Sequence, residues 1–158
     1  MMYGLMALFV VGIVALDQVT KYLTVANIPL HTQIPVIDGL FHLTYVRNTG
    51  AAFSSFQGMQ GLFALIFVVF TLLIVWELKK DTMHFTKFEW WCIFAIYAGG
   101  IGNMIDRLRF GWVIDMIEVE FMEFPVFNVA DSCITCGCIA LIVSLIFFNK
   151  AFWKDGKK

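Results

Sequence analysis

Ionisable side chains interrupt the apolar stretches of this sequence at helical spacing. Asp17 and Lys21 stand four residues apart, and Asn103, Asp106 and Arg107 share the i, i+3, i+4 spacing that places side chains on one face of a helix. Ionisable groups are costly within a membrane, so in apolar surroundings they mark a functional site by default. The chemistry open to them is proton transfer, either to a bound substrate or along a relay.

Three more polar residues lie beside or within the later apolar stretches: Asp115, Asn128 and Asp131. Lys21 and Arg109 have long side chains, and either can be an anchor that extends its charge to the membrane surface. The short carboxylate and amide side chains cannot extend in that way. We therefore expect them to belong to one polar cluster at a membrane face.

The composition is that of a membrane protein. Of the 158 residues, 60% are hydrophobic and only 15% are charged, against roughly a quarter charged in soluble domains. No basic stripe is present, so we expect no nucleic-acid partner. No linker or repeat divides the chain, which we interpret as a single integral-membrane domain over residues 1–158.

Four stretches are long and apolar enough to predict a membrane all-α fold, a four-transmembrane-helix bundle. The first lacks the basic start and the small-residue cleavage site of a removable signal peptide, so we keep it as a helix. Lysines cluster after the second stretch and in the C-terminal tail, which predicts an N-in/C-in orientation. The predicted helices cover about 2–25, 61–78, 88–108 and 130–149, and the outward segments about 26–60 and 109–129.

The two outward segments contain short β-prone runs. Gln33 to Ile37 and Leu40 to Val46 flank the turn residues Asp38 and Gly39, which predicts a hairpin. The alternation over 118–121 predicts a third strand. We expect a small extracytoplasmic β-sheet that forms a cradle at the outer membrane surface.

Cysteines and histidines do not form a metal-binding pattern. We expect the cysteines to be small apolar core residues, and the histidines lie outside the predicted spans, where they cannot pair as haem ligands. We expect neither a metal nor an organic cofactor. The residues in question are Cys92, Cys133, Cys136, Cys138, His31, His42 and His84.

Four short motifs follow one another along the chain. They are Asp17-Gln18-Val19-Thr20-Lys21, Arg47-Asn48-Thr49-Gly50-Ala51-Ala52-Phe53-Ser54, Gly102-Asn103-Met104-Ile105-Asp106-Arg107 continuing to Gly111-Trp112-Val113-Ile114-Asp115, and Phe127-Asn128-Val129-Ala130-Asp131. In this order, the set resembles the bacterial lipoprotein signal peptidase family, also called signal peptidase II. Ile114 and Met116 depart from the valine and phenylalanine that we expect in many members.

The resemblance implies an aspartyl endopeptidase with Asp115 and Asp131 as the catalytic pair. It further implies a multi-pass protein of the bacterial cytoplasmic membrane that cuts diacylglyceryl-modified prolipoproteins on the extracytoplasmic side, in contact with membrane lipid, and that we expect to be monomeric. The residues it implies around the pair are Asp17, Lys21, Asn48, Gly50, Asn103, Asp106, Arg107, Asn128 and Ala130.

Peptide hydrolysis by two carboxyl groups needs one proton between them. Two carboxylates that share a site cannot both ionise cheaply, so the pKa of one rises. Asp115 and Asp131 are too far apart in sequence for one helix face, so a chain reversal must pair them. The spacing also suggests Lys21 as the partner of Asp17, and Arg107 as the partner of Asp106.

Two other functional classes fit a cluster of intramembrane charges. A proton-coupled transporter or channel would use the charges as a relay, with acidic groups near mid-membrane and inverted repeats. In this sequence the charges gather at one predicted face and no repeat is visible. A non-enzymatic assembly subunit that binds haem is less compatible still, because of the positions of the histidines.

Overall fold

The computed structural model describes residues 2–50 and 59–154. The part of the second motif from Ala51 to Ser54 and the tail residues Lys157 and Lys158 lie outside this range. The elements are, in chain order, α1 (Met2–Asn27), β1 (Gln33–Ile37), β2 (Phe41–Asn48), α2 (Gln60–Lys80), α3 (Lys87–Phe110), β3 (Val113–Val119), α4 (Val129–Phe147) and α5 (Lys150–Lys154).

Three of the described helices, α1, α2 and α4, are long and apolar enough to cross a membrane. Their outer surfaces carry large apolar side chains with no protein neighbour to cover them, such as Leu8, Leu72 and Ile139, which are 70%, 62% and 59% exposed. Exposed apolar area on this scale marks a surface meant for lipid or a partner. The protein is therefore a multi-pass membrane protein.

Helix α3 lies centrally and packs against α1, α2 and α4. It begins at a capping box in which Thr86 accepts a hydrogen bond from the backbone of Glu89, and it ends at Gly111, whose φ of 81° is favourable only for glycine. Its polar residues lie at its two ends, and residues 90–105 between them carry no charge. α3 thus joins two polar regions across an apolar middle.

The three strands form one antiparallel sheet in the order β1-β2-β3. The predicted hairpin is confirmed, but the third strand covers Val113–Val119 and not 118–121 as expected. The first half of β3 is buried on both faces, so its sequence lacks the alternation of a half-exposed strand. Val46 pairs with Asp115 and Asn48 with Val113, which brings the end of β2 beside the candidate carboxyl group.

The described residues form two apolar cores at opposite ends of the bundle. One contains Ile28, Tyr45, Ile114 and Met116 and lies under the sheet. The other lies at the opposite end of the bundle and contains Met6, Ile74, Trp90 and Ile93. The sheet is therefore packed on the helices and is not a free outer loop.

A second polar cluster, the Glu89 cluster, lies at the far end of α3. The Glu89 side chain is fully buried and accepts hydrogen bonds from Ser144 Oγ at 2.9 Å and from Asn149 Nδ2 at 2.8 Å. These contacts hold the start of α3 against the end of α4. Nothing in the sequence marked Glu89 as different from an ordinary charge at a helix start.

Candidate active site

Lys21 lies at the centre of the polar cluster and does not extend to the surface. Its side chain is 2% exposed, and its Nζ lies 2.9 Å from both Asp17 Oδ2 and Asp106 Oδ2. Nζ also donates a hydrogen bond to Asn103 Oδ1 at 3.1 Å. All three donors of the ammonium group have partners, so the anchor interpretation of Lys21 is wrong.

The predicted pairing of Arg107 with Asp106 is also wrong, because Lys21 takes that carboxylate. Arg107 turns the other way, where Nη2 donates to the carbonyl of Gly50 at 3.0 Å. Its guanidinium lies 4.3 Å from the ring centroid of Phe63. Arg107 therefore ties α3 to the end of β2 and to α2.

Asp17 and Asp106 each hold the backbone next to one member of the carboxyl pair. The backbone N–H of Ala130 donates to Asp17 Oδ1 at 2.9 Å, directly before Asp131. The backbone N–H of Ile114 donates to Asp106 Oδ2 at 3.1 Å, directly before Asp115. One buried ion cluster thus fixes both chain segments that carry the pair.

Asp115 receives one amide donor on each carboxyl oxygen. Asn128 Nδ2 donates to Oδ1 at 2.7 Å, and Asn48 Nδ2 donates to Oδ2 at 2.9 Å. Asn48 is itself held because its Oδ1 accepts a hydrogen bond from the backbone N–H of Gly50. Both oxygens are therefore fixed in direction before any substrate arrives.

Asp131 is held in a matching way at the start of α4. Asn103 Nδ2 donates to its Oδ1 at 2.7 Å, and the backbone N–H of Asn128 donates to its Oδ2 at 3.2 Å. In return, the side chain of Asn128 accepts a hydrogen bond from the backbone N–H of Asp131, which completes a capping box. Asn128 contacts both carboxyl groups and thereby links them.

All residues singled out from the sequence lie in this one connected network. They are Asp17, Lys21, Asn48, Gly50, Asn103, Asp106, Arg107, Asp115, Asn128, Ala130 and Asp131. Sequence reasoning missed Gln18, whose Nε2 donates to Asp106 Oδ1 at 3.0 Å and to the carbonyl of Gly102 at 3.2 Å. Its place directly after Asp17 in the first motif was the available signal.

Close approach of the helices depends on small residues in α3. A Cβ on Gly102 would lie 2.5 Å from Asp17 Oδ2 and 3.3 Å from the Cβ of Ala130, and one on Gly99 would collide with the carbonyl of Ala130. The glycines therefore allow α1 and α4 to reach the ion cluster.

A cavity of about 460 Å³, here called the site cavity, opens on the pair. Its lining combines polar groups of the site with α4 residues such as Ile134 and Cys136. Cys136 is exposed, so not every cysteine is a core residue as expected; all four are free thiols. The cavity therefore presents polar and apolar groups beside the carboxyl pair.

The electrostatics around Asp115 favour a shared proton. Burial, and then the negative charge of Asp131, raise the pKa of Asp115 to about 7, against the hydrogen bonds from Asn48 and Asn128 that lower it. A carboxyl group that keeps its proton near neutral pH can act as a general acid beside an ionised partner. Among the described residues, no group of three or more His, Cys, Asp or Glu side chains is arranged to hold a metal ion.

The fold and the site define a multi-pass membrane protein with a buried pair of carboxyl groups that opens on an apolar cavity. Two solved structures described as a bacterial membrane enzyme are similar to it, with TM-scores of 0.85 and 0.82 at 33% sequence identity. The similarity covers 94% and 92% of this chain and 91% and 95% of those chains.

Sequence comparison gives the family. The model of the signal peptidase (SPase) II family matches residues 9–147. A lipoprotein signal peptidase of Enterococcus faecalis is 44% identical over 92% of this chain and 89% of its own length, and one of Streptococcus pyogenes serotype M2 is 43% identical over 96% and 94%. The chain belongs to the signal peptidase II family and is an aspartic protease of the membrane.

Proposed function

We propose that this protein removes signal peptides from diacylglyceryl-modified prolipoproteins, cutting before the lipidated cysteine with Asp115 and Asp131 as the catalytic pair. Family membership supports the peptidase activity and the substrate class. The observation that carries the assignment of the pair is the bridge made by Asn128, which holds Asp115 with its side chain and Asp131 with its backbone.

In the proposed mechanism, Asp115 carries the proton and Asp131 is ionised. Asp131 takes a proton from a water molecule, which attacks the scissile carbonyl, while Asp115 protonates the carbonyl oxygen or the leaving nitrogen. Burial and the negative charge of Asp131 raise the pKa of Asp115 to about 7, so the pair can hold one proton between its two carboxyl groups near neutral pH. Asn48, Asn103 and Asn128 keep the carboxyl groups aligned and so reduce the reorganisation that the reaction requires.

We further propose that α3 crosses the membrane as a fourth span, with both termini in the cytoplasm and the pair on the outer side of the cytoplasmic membrane. Support comes from the uncharged middle of α3 and from the lysines at the end of α2, Lys79 and Lys80, which are exposed. A lipidated substrate is confined to the bilayer, so its scissile bond arrives at the interface where such a site lies.

The transporter alternative finds no specific support in the geometry. The buried charges near the carboxyl pair form a closed network around Lys21, and the buried Glu89 lies at the other end of α3, so the two sets do not form a chain across the membrane. A relay needs titratable groups spaced along a path. Residues 90–105, which lie between the two polar ends of α3, include no charged side chain.

Cleavage of a purified diacylglyceryl-prolipoprotein in detergent tests the proposal. Asp115→Asn and Asp131→Asn should each abolish cleavage while remaining folded, because neither asparagine can carry the proton or the charge. Asp38→Asn is the matched control, since it changes an exposed carboxylate of the β1–β2 turn. If either folded site variant cuts at the rate of the parent protein, the aspartyl mechanism is wrong.

A further inference from the structure

Asp115 opens on two cavities, not one. Besides the site cavity, a cavity of about 810 Å³, here called the outward cavity, is lined by Val46 to Asn48, Asp115 and residues 118–126. The two cavities share Asn48, Asp115 and the segment 124–126. A chain bound across Asp115 would therefore have one side in each cavity.

The walls of the two cavities differ in origin. Residues of α3 and α4, including Asn103 and Ile134, line the site cavity, whereas the described residues that line the outward cavity come from the sheet and the loop before α4. A signal peptide is the apolar, membrane-spanning part of the proposed substrate. The signal peptide therefore fits the site cavity, which the helices line. The outward cavity is then left for the residues that follow the scissile bond.

The outward cavity is negatively charged. Among the described residues, Glu118, Glu120 and Glu123 line it together with one cation, Arg47. Glu118 Oε2 accepts a hydrogen bond from Gln33 at 2.9 Å, and Glu120 Oε2 accepts one from the backbone N–H of Gly39 at 2.7 Å. These contacts fix the positions of two of the three carboxylates, through partners on β1 and in the β1–β2 turn.

Arg47 contacts two aromatic side chains that are not part of the cavity lining, Trp112 and Tyr45. Its guanidinium lies 4.9 Å from the ring centroid of Trp112, and its Nε donates to Tyr45 Oη at 3.0 Å. His42 lies 3.4 Å from Glu120 and adds a positive charge only when it is protonated. Carboxylates therefore dominate the field that a bound chain would meet.

We propose that the outward cavity binds the first residues after the lipidated cysteine and that Glu118, Glu120 and Glu123 make the enzyme prefer a cationic side chain there over an anionic one. The inference rests on the proposed function and adds a charge preference to it. Carboxylates around a concave site attract a cation and repel an anion, and salt screens both effects because the groups are near solvent.

Three substrates test this proposal. They are identical diacylglyceryl-prolipoproteins with Lys, Gln or Glu as the second residue after the cysteine. Cleavage is measured as kcat/KM in a non-ionic detergent at low and high salt. The enzymes are the parent protein, the double variant Glu118→Gln/Glu123→Gln, and Asp38→Asn, which removes one exposed carboxylate outside the cavity lining.

We expect the parent protein to cut the Lys substrate about fivefold faster than the Glu substrate at low salt, and the ratio to fall towards one as salt screens the charges. The ratio should also fall in the double variant and persist in Asp38→Asn. A parent ratio near one, or the same ratio in the double variant, overturns the inference. If the parent protein fails to cut even the Gln substrate, the proposed function has failed, and the charge preference fails with it.

Discussion

The backbone N–H of Ala130 donates to the carboxylate of Asp17, although the two residues lie 113 positions apart. Asp106 makes the equivalent contact with Ile114. Each acceptor is paired with Lys21, so a single ammonium group stabilises both carboxylates that position the catalytic pair. These three residues act through the backbone, and they are positioning residues rather than catalytic ones.

Replacement of Lys21 should therefore damage both stability and activity. Lys21→Met leaves two buried carboxylates without their cation, which should cost about 3–5 kcal/mol of unfolding free energy. Thermal unfolding in detergent measures the loss. Lys80→Met is the control, because Lys80 is exposed at the end of α2, where its Nζ lies 5.8 Å from the ring centroid of Trp76. Equal melting temperatures for the two variants would contradict the role of Lys21.

A methyl group at Gly102 should disturb the site without removing any functional group. In Gly102→Ala, the new Cβ meets Asp17 Oδ2 at 2.5 Å, so Asp17 must move, at a cost of about 1–3 kcal/mol. We expect kcat/KM to fall about tenfold or more, because displacement of Asp17 shifts the start of α4. In Gly12→Ala, the new Cβ meets no atom of the described residues within 4 Å, so this variant should keep the parent rate.

The pH profile should show an alkaline limb near pH 7. Asp115 has a pKa of about 7, and its proton is lost as the pH rises through that value, so kcat/KM falls on the alkaline side. The hydrogen bond from Asn48 stabilises the ionised form and lowers this pKa. In Asn48→Ala the proton should persist to higher pH and the limb should move upward.

Asn27→Ala provides the comparison for this shift. Asn27 is exposed, and its side chain donates to the carbonyl of Leu23 within α1. Its substitution should leave the alkaline limb in place. A downward shift of the limb in Asn48→Ala would mean that another group controls it.

The Glu89 cluster should matter for stability and not for cleavage. Glu89→Ala leaves the donors of Ser144 and Asn149 without their acceptor in a buried region, at about 1–3 kcal/mol each. The melting temperature should fall, whereas kcat at a temperature where the variant is folded should match the parent value. Lys87→Ala, an exposed change in the first turn of the same helix, should alter neither quantity.

The sequence predicted the parts of the fold that depend on local patterns. Hydropathy located the apolar helices, the turn at Asp38 and Gly39 located the hairpin, and helical spacing paired Asp17 with Lys21. The second contact of Lys21, with Asp106, joins residues far apart in the chain and has no local signal. The sequence therefore left Arg107 as the apparent partner.

The same limit explains the other differences. Asn103 and Asn128 donate to opposite members of the pair, a relation that depends on how α3 meets the start of α4. The exposed side of Cys136 depends on which face of α4 remains uncovered. Tertiary packing decides such features, and the local pattern of a single sequence does not reveal them.

The separation of the two polar ends of α3 has a consequence for the lipid around the protein. From Glu89 to Asp106 the helix rises by about 26 Å, somewhat less than the roughly 30 Å of a typical hydrocarbon core. In the proposed topology this distance is fixed, because a hydrogen bond from Asn149 holds Glu89 and the ion pair with Lys21 holds Asp106. In a thicker bilayer, either the lipid becomes thinner around the enzyme or the active site lies below the membrane surface. Acyl-chain length thus sets the depth at which the scissile bond meets Asp115.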